Sequence, residues 1–398
     1  MLKQFVKNIL ASNCLASCLS ITVCVLPVTA TQVKQNQNYD SFTEWCENIE
    51  HISTRARHTV EALLQKVQTQ DCLTAEEKLS QITYLELDSN KITDLDPLSG
   101  LTNLTGLKIS STNIWDISPL SGLTNLTQLY ISGEEVRDIS PLSGLTNLTQ
   151  LHISSEEIRD ISPLSGLTNL TQLILYLWGN EIIDISPLSE LTNLTHLMIQ
   201  GKQIQDISPL SELNNLTKLW LYTSPIADIS SLSGLTNLNG LWMINNQITD
   251  IGSLSGLTNL TELWLDDNQI TDISPLSGLT NLTELSIDNN QIKDVSHLSK
   301  LSQLTKLWLN NNQIKDISSL SQLNNLTKLQ ISRNQIKDMS PISELINLED
   351  LFIDHNLIAK PICPVQPEFI CENKKTGYRC GGRRGKCVGE EPRKHPAQ

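Results

Sequence analysis

Twelve aspartates fall on a strict spacing, and regularly spaced carboxylates are the first place to look for chemistry. Asp94, Asp116, Asp138, Asp160, Asp184, Asp206, Asp228, Asp250, Asp272, Asp294, Asp316 and Asp338 stand 22 residues apart, except for 24 between Asp160 and Asp184. A column of carboxylates suggests calcium, but calcium takes roughly six or more oxygens. One carboxylate per repeat falls short of that, so no metal site is expected. The seven histidines (His51, His58, His152, His196, His297, His355 and His395) show neither a His-Glu-x-x-His pair nor metal-ligand spacing. There is no Gly-x-Ser-x-Gly elbow and no phosphate loop. The expectation is a protein that is not an enzyme and carries no cofactor.

A second column is aromatic. The position eight before each Asp includes Tyr130, His152, Trp220, Trp242, Trp264 and Trp308. Met198 and Phe352 stand there too. The position two further on includes Tyr222, Ile244, Asp266, Asp288 and Asn310. The 24-residue repeat adds Tyr176 and Trp178 to the same set. Nine of the chain's 17 aromatic residues fall in these few positions, too many for chance scatter. In Leu263-Trp264-Leu265 the leucines have the parity of a strand's buried side, so strand alternation turns Trp264 to the other face, in water. Two readings follow. Neighbouring rings on a parallel sheet stack and stabilise it by about 0.2–1 kcal/mol per pair. Alternatively, an exposed aromatic stripe recognises a partner. The second reading assigns ligand contacts to Trp220, Trp242, Trp264, Trp308, Tyr222, Tyr130, Tyr176, Trp178, Met198, Phe352, Asp266 and Asp288. A protein or peptide suits a stripe rimmed by carboxylates and amides. A glycan stacking on indoles suits it as well.

The elements that carry these columns are repeated strands. From about residue 79 to 360 the unit LTNLTxLxLxxNxIxDISPLSG recurs thirteen times. Leu263 and Leu265 face inward from a short strand, and Ile270, Ile273, Leu276, Leu279 and Leu282 fill the rest of the coil. One coil cannot bury these residues alone, so coils must stack. Asn90, Asn180, Asn246, Asn268, Asn290, Asn312, Asn334 and Asn356, four before the Asp, tolerate unusual backbone angles and can bond main-chain groups. Glu134 and Glu156 interrupt that series, as an acidic patch near His152 or as duplicated coils that tolerate the loss. Ser118 followed by Pro119 reads as a cap and first-turn proline of a short 3₁₀ segment. The recurring Asn-Leu-Thr is a glycosylation sequon, but it is simply part of the repeat.

The unit resembles the 22-residue leucine-rich repeat of internalins and related bacterial surface proteins, over about 70 % of the chain. The resemblance implies an α/β solenoid: a right-handed leucine-rich-repeat horseshoe of about thirteen coils, with a parallel sheet on its concave face and a binding role. There is no Leu-Pro-x-Thr-Gly motif and no immunoglobulin-like module after the repeats, so internalin-type attachment to a cell wall is not implied.

The ends differ from the repeats. Residues 1–30 read as a signal peptide cleaved after Ala30. Leu15–Cys18 also resembles a lipoprotein cleavage site, and a retained membrane anchor is a third reading. No later stretch could span a bilayer. Residues 31–78 read as an N-terminal region with a helical cap, with capping-box spacing at Ser41/Glu44 and Thr74/Glu77 and a Cys46–Cys72 disulfide. Residues 361–398 read as a cysteine-containing basic tail of net charge +4, leaving −18 on the rest. Thirteen coils separate the ends by about 60 Å, which forbids pairing across them. Cys363, Cys371, Cys380 and Cys387 then pair among themselves, with Cys363–Cys371 and Cys380–Cys387 favoured and zinc as the alternative. A net charge of −14 argues against nucleic acid. The expectation is a monomer, secreted, periplasmic or at the cell surface, that binds a macromolecule on its concave face. A mainly structural surface protein is the remaining alternative.

Overall fold

The computed structural model describes residues 39–111, 113–179 and 182–358, together with the backbone of 379–381. The proposed signal peptide, Asn180, Cys363, Cys371, Cys387 and the basic tail lie outside the described residues. Thirteen parallel strands follow one another in chain order in a single sheet. The first seven have five residues: Tyr84–Asp88 (β1), Gly106–Ser110 (β2), Gln128–Ser132 (β3), Gln150–Ser154 (β4), Gln172–Tyr176 (β5), His196–Gln200 (β6) and Lys218–Tyr222 (β7). The next six have three: Gly240–Trp242 (β8), Glu262–Trp264 (β9), Glu284–Ser286 (β10), Lys306–Trp308 (β11), Lys328–Gln330 (β12) and Asp350–Phe352 (β13). This is the expected leucine-rich-repeat horseshoe. Identical positions pair from coil to coil: Leu241 with Leu219 and Leu263, Trp242 with Trp220 and Trp264.

The core is one continuous column. Leu263, Leu265, Ile270, Ile273, Leu276, Leu279 and Leu282 are all buried, and so are their equivalents in the neighbouring coils. Each such side chain contributes roughly 1.5–3 kcal/mol by leaving water. The longer coil keeps its alternation, with Leu173, Leu175 and Leu177 inside and Trp178 exposed.

Both strand lengths solve the same problem, which is where the backbone groups go as the chain leaves the sheet. In the later coils the residue five before the Asp adopts positive φ, from 53° to 59°, at Thr223, Asn245, Asp267, Asn289, Asn311, Arg333 and His355. The turn brings the next asparagine inside. Asn268 Nδ2 donates to the carbonyls of Met243, Leu265 and Asp266 at 2.8, 3.0 and 3.1 Å, and its Oδ1 accepts from Ile248 N–H at 3.1 Å. Asn246, Asn290, Asn312 and Asn334 are buried in the same way. The earlier coils continue the strand ladder instead. Glu134 and Glu156 point to solvent, and Ser155 Oγ donates to the Val136 carbonyl at 2.7 Å. Asn90 is exposed and stands outside the buried series.

Two capping assignments are corrected. Ser118 is the first residue of its 3₁₀ segment, and its N–H donates to Asp116 Oδ1 at 2.8 Å. The N-cap residue is Ile117, and the aspartate before it supplies the acceptor, which explains the Asp column: the same bond recurs at Asp138, Asp160, Asp184 and onward through Asp338. The third helix is capped by Asp71, whose Oδ1 accepts from Thr74 N–H at 2.8 Å, so Thr74 lies inside the helix. A second asparagine ladder had no counterpart in the sequence reading. The sequon asparagines donate their Nδ2 to a carbonyl of the preceding coil, as Asn125 does to Thr102 at 2.9 Å.

The N-terminal end of the column is covered. Helices Phe42–Glu47 (α1), Thr54–Val67 (α2) and Cys72–Gln81 (α3) lay Phe42, Trp45, Val60, Leu63 and Leu79 on the first coil, joined by the Cys46–Cys72 disulfide. At the other end Arg379–Gly381 (β14) pairs antiparallel with β13, with Cys380 opposite Leu351.

Candidate functional site on the concave face

Strand alternation holds: the aromatic column lies on the face opposite the leucines and forms a separate apolar cluster. Its exposure is the correction. Trp242 is 1 % and Trp264 7 % exposed, and Met198, Tyr222 and Trp308 are also buried. These side chains shield one another instead of standing in water. Trp220 stacks on Trp242 with centroids 4.5 Å apart and planes 11° apart. Trp264 reaches Trp308 at 5.7 Å across the small Ser286. Gly240 makes room for this arrangement, since a Cβ there would lie 2.2 Å from the ring of Trp242. Toward the last coils Lys328 Nζ sits 5.9 Å from the Trp308 ring and 5.8 Å from that of Phe352.

The carboxylates of the presumed rim are engaged as well. Asp266 is 4 % exposed and accepts from Ser286 Oγ at 2.6 Å and from Asp288 N–H at 2.7 Å. Asp288, also buried, accepts from the N–H and the side-chain amide of Asn310 at 2.7 and 3.0 Å. They form a polar ladder that satisfies the sheet's backbone where its strands shorten.

Accessible surface survives further toward the N-terminus. A hollow of about 850 Å3 is lined by Tyr130, His152, Tyr176, Trp178 and Tyr222, and at its other end by Asn245 and Asp267. Its most exposed ring is Trp178, at 49 %. The two extra residues of the long coil carry that indole past the end of β5, where it stacks on Tyr176 at 6.1 Å. His152 lies between Tyr130, 3.8 Å away, and Tyr176, 5.2 Å away. Four of the twelve expected contact residues therefore meet in one place: Tyr130, Tyr176, Trp178 and Tyr222. Sequence reasoning gave no site role to His152 or Asp267. His152 occupied the aromatic column, whereas Asp267 belongs to neither column and only the positive-φ turn brings it to the hollow.

Burial pushes the His152 imidazole down to about 4, so the ring is neutral in the hollow at ordinary pH. Burial, and then Lys218, lowers His196. Backbone N–H groups two residues on hold Asp138, Asp184, Asp206, Asp228, Asp272, Asp294 and Asp338 below the usual carboxylate value. In every case the unfolded chain binds protons more readily than the folded one, so stability is lost as pH falls. The sensitive interval for His152 runs from its ordinary 6.5 down to about 4. The aspartates act below their ordinary 3.8. Asp96 and Glu262, raised by burial, oppose this trend. The urea midpoint is expected to fall in two stages, and His152→Gln to flatten the first stage. An unchanged midpoint between neutrality and about pH 4.5 would show that His152 stays solvated.

Among the described residues no three His, Cys, Asp or Glu side chains are grouped to hold a metal ion. Among the same residues no helix is long and apolar enough to cross a membrane.

Comparison with known proteins agrees with this architecture. The family of leucine-rich repeats in two copies matches residues 80–122, 102–144, 124–166, 168–212, 192–234, 236–278 and 280–322. An internalin from Listeria monocytogenes is 35 % identical, with a TM-score of 0.63, over 73 % of this chain and 93 % of that one. A leucine-rich-repeat protein from Leptospira interrogans has the same fold at 21 % identity, with a TM-score of 0.59, over 71 % of this chain and 80 % of that one. Curated proteins yield no match. Repeat sequence, coil register and the likeness to the Listeria protein together show that this chain belongs to the leucine-rich-repeat proteins and, among them, to the internalin-like bacterial group.

Proposed function

We propose that the chain is a non-enzymatic binding module, exported from the cell, that takes a protein or peptide partner on its concave face as a monomer. The observation that carries this reading is the aromatic hollow at Tyr130, His152, Tyr176, Trp178 and Tyr222. Adjacent, partly exposed rings around a formed hollow are the kind of contiguous patch that marks an interaction site. Tryptophan and tyrosine also dominate the energetics of protein interfaces. The Cys46–Cys72 disulfide supports an oxidising, extracytoplasmic location. The proposed leader at residues 1–30 accords with export.

The test is selection of displayed random nonapeptides on the immobilised protein, beside an array of cell-envelope oligosaccharides. Selected peptides are expected to lose at least about tenfold in affinity on Trp178→Ala, as hot-spot truncations do. Oligosaccharides alone binding with that dependence would replace the peptide reading by a glycan one. Ligands indifferent to Trp178→Ala would remove the hollow from the function.

A further inference from the structure

Resting on the reading of the concave face as a peptide-binding surface, we propose that the hollow selects an extended, positively charged segment of its partner. A basic side chain lies on the Tyr176–Trp178 pair and a second one meets Asp267.

Length is the first argument. The lining runs from Tyr130 and Ser132 on β3 to Asp267 just beyond β9, which is six strand steps. At about 4.8 Å per step the hollow is roughly 29 Å long. A volume of about 850 Å3 drawn out over that length is a trough. Nine extended residues at about 3.3 Å each fill such a trough from end to end, whereas a compact small molecule would leave most of it empty.

Charge is the second argument. Among the described residues no lysine or arginine lines the trough, and the one carboxylate among them, Asp267, is exposed. Asp267 adopts φ 57°, which turns the chain out of the sheet. Its neighbours Asp266 and Asp288 are tied into the sheet, whereas Asp267 faces the trough. His152 adds no positive charge above about pH 4. Lys108, whose Nζ lies 5.6 Å from the centre of the Tyr130 ring, is paired with Glu86 at 2.7 Å. The turns after Ser132 and Ser154 carry Glu134, Glu135, Glu156 and Glu157 beside Arg137 and Arg159, with Arg137 Nε 3.5 Å from Glu157.

Ring chemistry is the third. An aromatic face attracts a cation through its quadrupole. This concave face already uses that attraction within the chain, holding Lys108 over Tyr130 and Lys328 over Trp308 and Phe352. Tyr176 and Trp178 offer the same kind of face inside the trough. An acidic segment would meet Asp267 and find no lysine or arginine among the described lining residues.

Three synthetic nonapeptides test this: Thr alternating with Lys, the same with Glu for Lys, and the same with Gln. Binding is read by fluorescence anisotropy against the wild type, Trp178→Ala and Asp267→Asn. Neither substitution threatens the fold. Trp178 is half exposed, and asparagine already stands at the equivalent turn in Asn245, Asn289 and Asn311. The Lys peptide is expected to bind and to weaken at least about fivefold with each variant, and more in low salt than in high. The Glu and Gln peptides are expected not to bind. Lys-peptide binding that ignores both variants would reveal only general attraction to an acidic protein and overturn the proposal. Preference for the Glu or Gln peptide, or for an oligosaccharide, would overturn it too. If displayed peptides that depend on Trp178 turn out not to be enriched in Lys or Arg, the binding function stands and this selectivity falls. If no ligand depends on Trp178, both fall.

Discussion

Trp242→Ala is expected to lower stability by about 3–5 kcal/mol, the range for truncating a buried large aromatic, while Trp178→Ala changes it by less than about 0.5 kcal/mol. Both residues face outward from the sheet, Trp242 in register with Trp220 and Trp264 and Trp178 beyond the end of β5, so the contrast separates the two jobs of the concave aromatics. Trp242 is 1 % exposed, lies parallel to Trp220 at 4.5 Å and fills the space above Gly240. Its indole N–H is buried without a hydrogen-bond partner, so truncation breaks no such bond. The loss is the cavity together with the transfer of apolar area. Trp178 stands half in solvent at the end of the long coil, stacked on Tyr176. Chemical denaturation followed by far-UV circular dichroism measures both. A loss below about 1 kcal/mol for Trp242→Ala would mean that the indole leaves the sheet readily, and would return it to the ligand-facing set.

The concave face therefore divides along its length. Between β7 and β13 its aromatics and acids stabilise the sheet: tryptophans cover each other, and Asp266 and Asp288 accept from the backbone of the next strand. From β3 to β7 the strands are longer, and the trough that begins there runs on past the ends of β7, β8 and β9. A parallel stack lets both happen in one chain because each coil contacts only its neighbours. Changes that open the surface in one part leave the packing of another undisturbed.

Much of this was legible in the sequence because the repeat imposes its own register. Leu263 and Leu265 had to face one way and Trp264 the other, and they do. The Cys46–Cys72 disulfide followed from helical caps that must close one end of the stack. What could not be read was how much water reaches a residue that faces outward. Alternation fixes direction, but exposure depends on the side chains of neighbouring coils, here Gly240 and Ser286 making space for the rings beside them. Nor did the pattern distinguish Asp266, held by Ser286 and Asp288, from Asp267, one residue on and turned outward by positive φ. The Asp column invited a metal and proved to be a repeated acceptor for the first N–H of a 3₁₀ segment, because a carboxylate two residues before a free N–H is bonded locally before it can serve a distant ligand.

Asn268→Ala is expected to cost about 3 kcal/mol, more than a typical surface change by several fold. The amide reaches Met243, Leu265 and Asp266 carbonyls and accepts from Ile248 N–H; Leu265 keeps Asn290 Nδ2 and Asp266 keeps Asn245 N–H, so truncation strands the Met243 carbonyl and the Ile248 N–H of the preceding coil. Each buried polar group left without a partner costs about 1–3 kcal/mol, partly offset where the turn relaxes or water enters. Asn268→Asp does no better, since a carboxylate cannot donate to three carbonyls and a charge would be buried in the attempt. Glu156→Ala, at the equivalent place in a coil that continues its strand ladder instead, is expected to change stability by less than about 0.5 kcal/mol. Because coils interact with nearest neighbours, the damage from Asn268→Ala should stay local. Hydrogen exchange is then expected to accelerate over residues 243–270 while the amides of β2–β5 keep their protection. Uniform acceleration along the whole stack would show instead that the solenoid unfolds as one unit, and that the asparagine ladder fastens the entire column rather than adjacent turns of it.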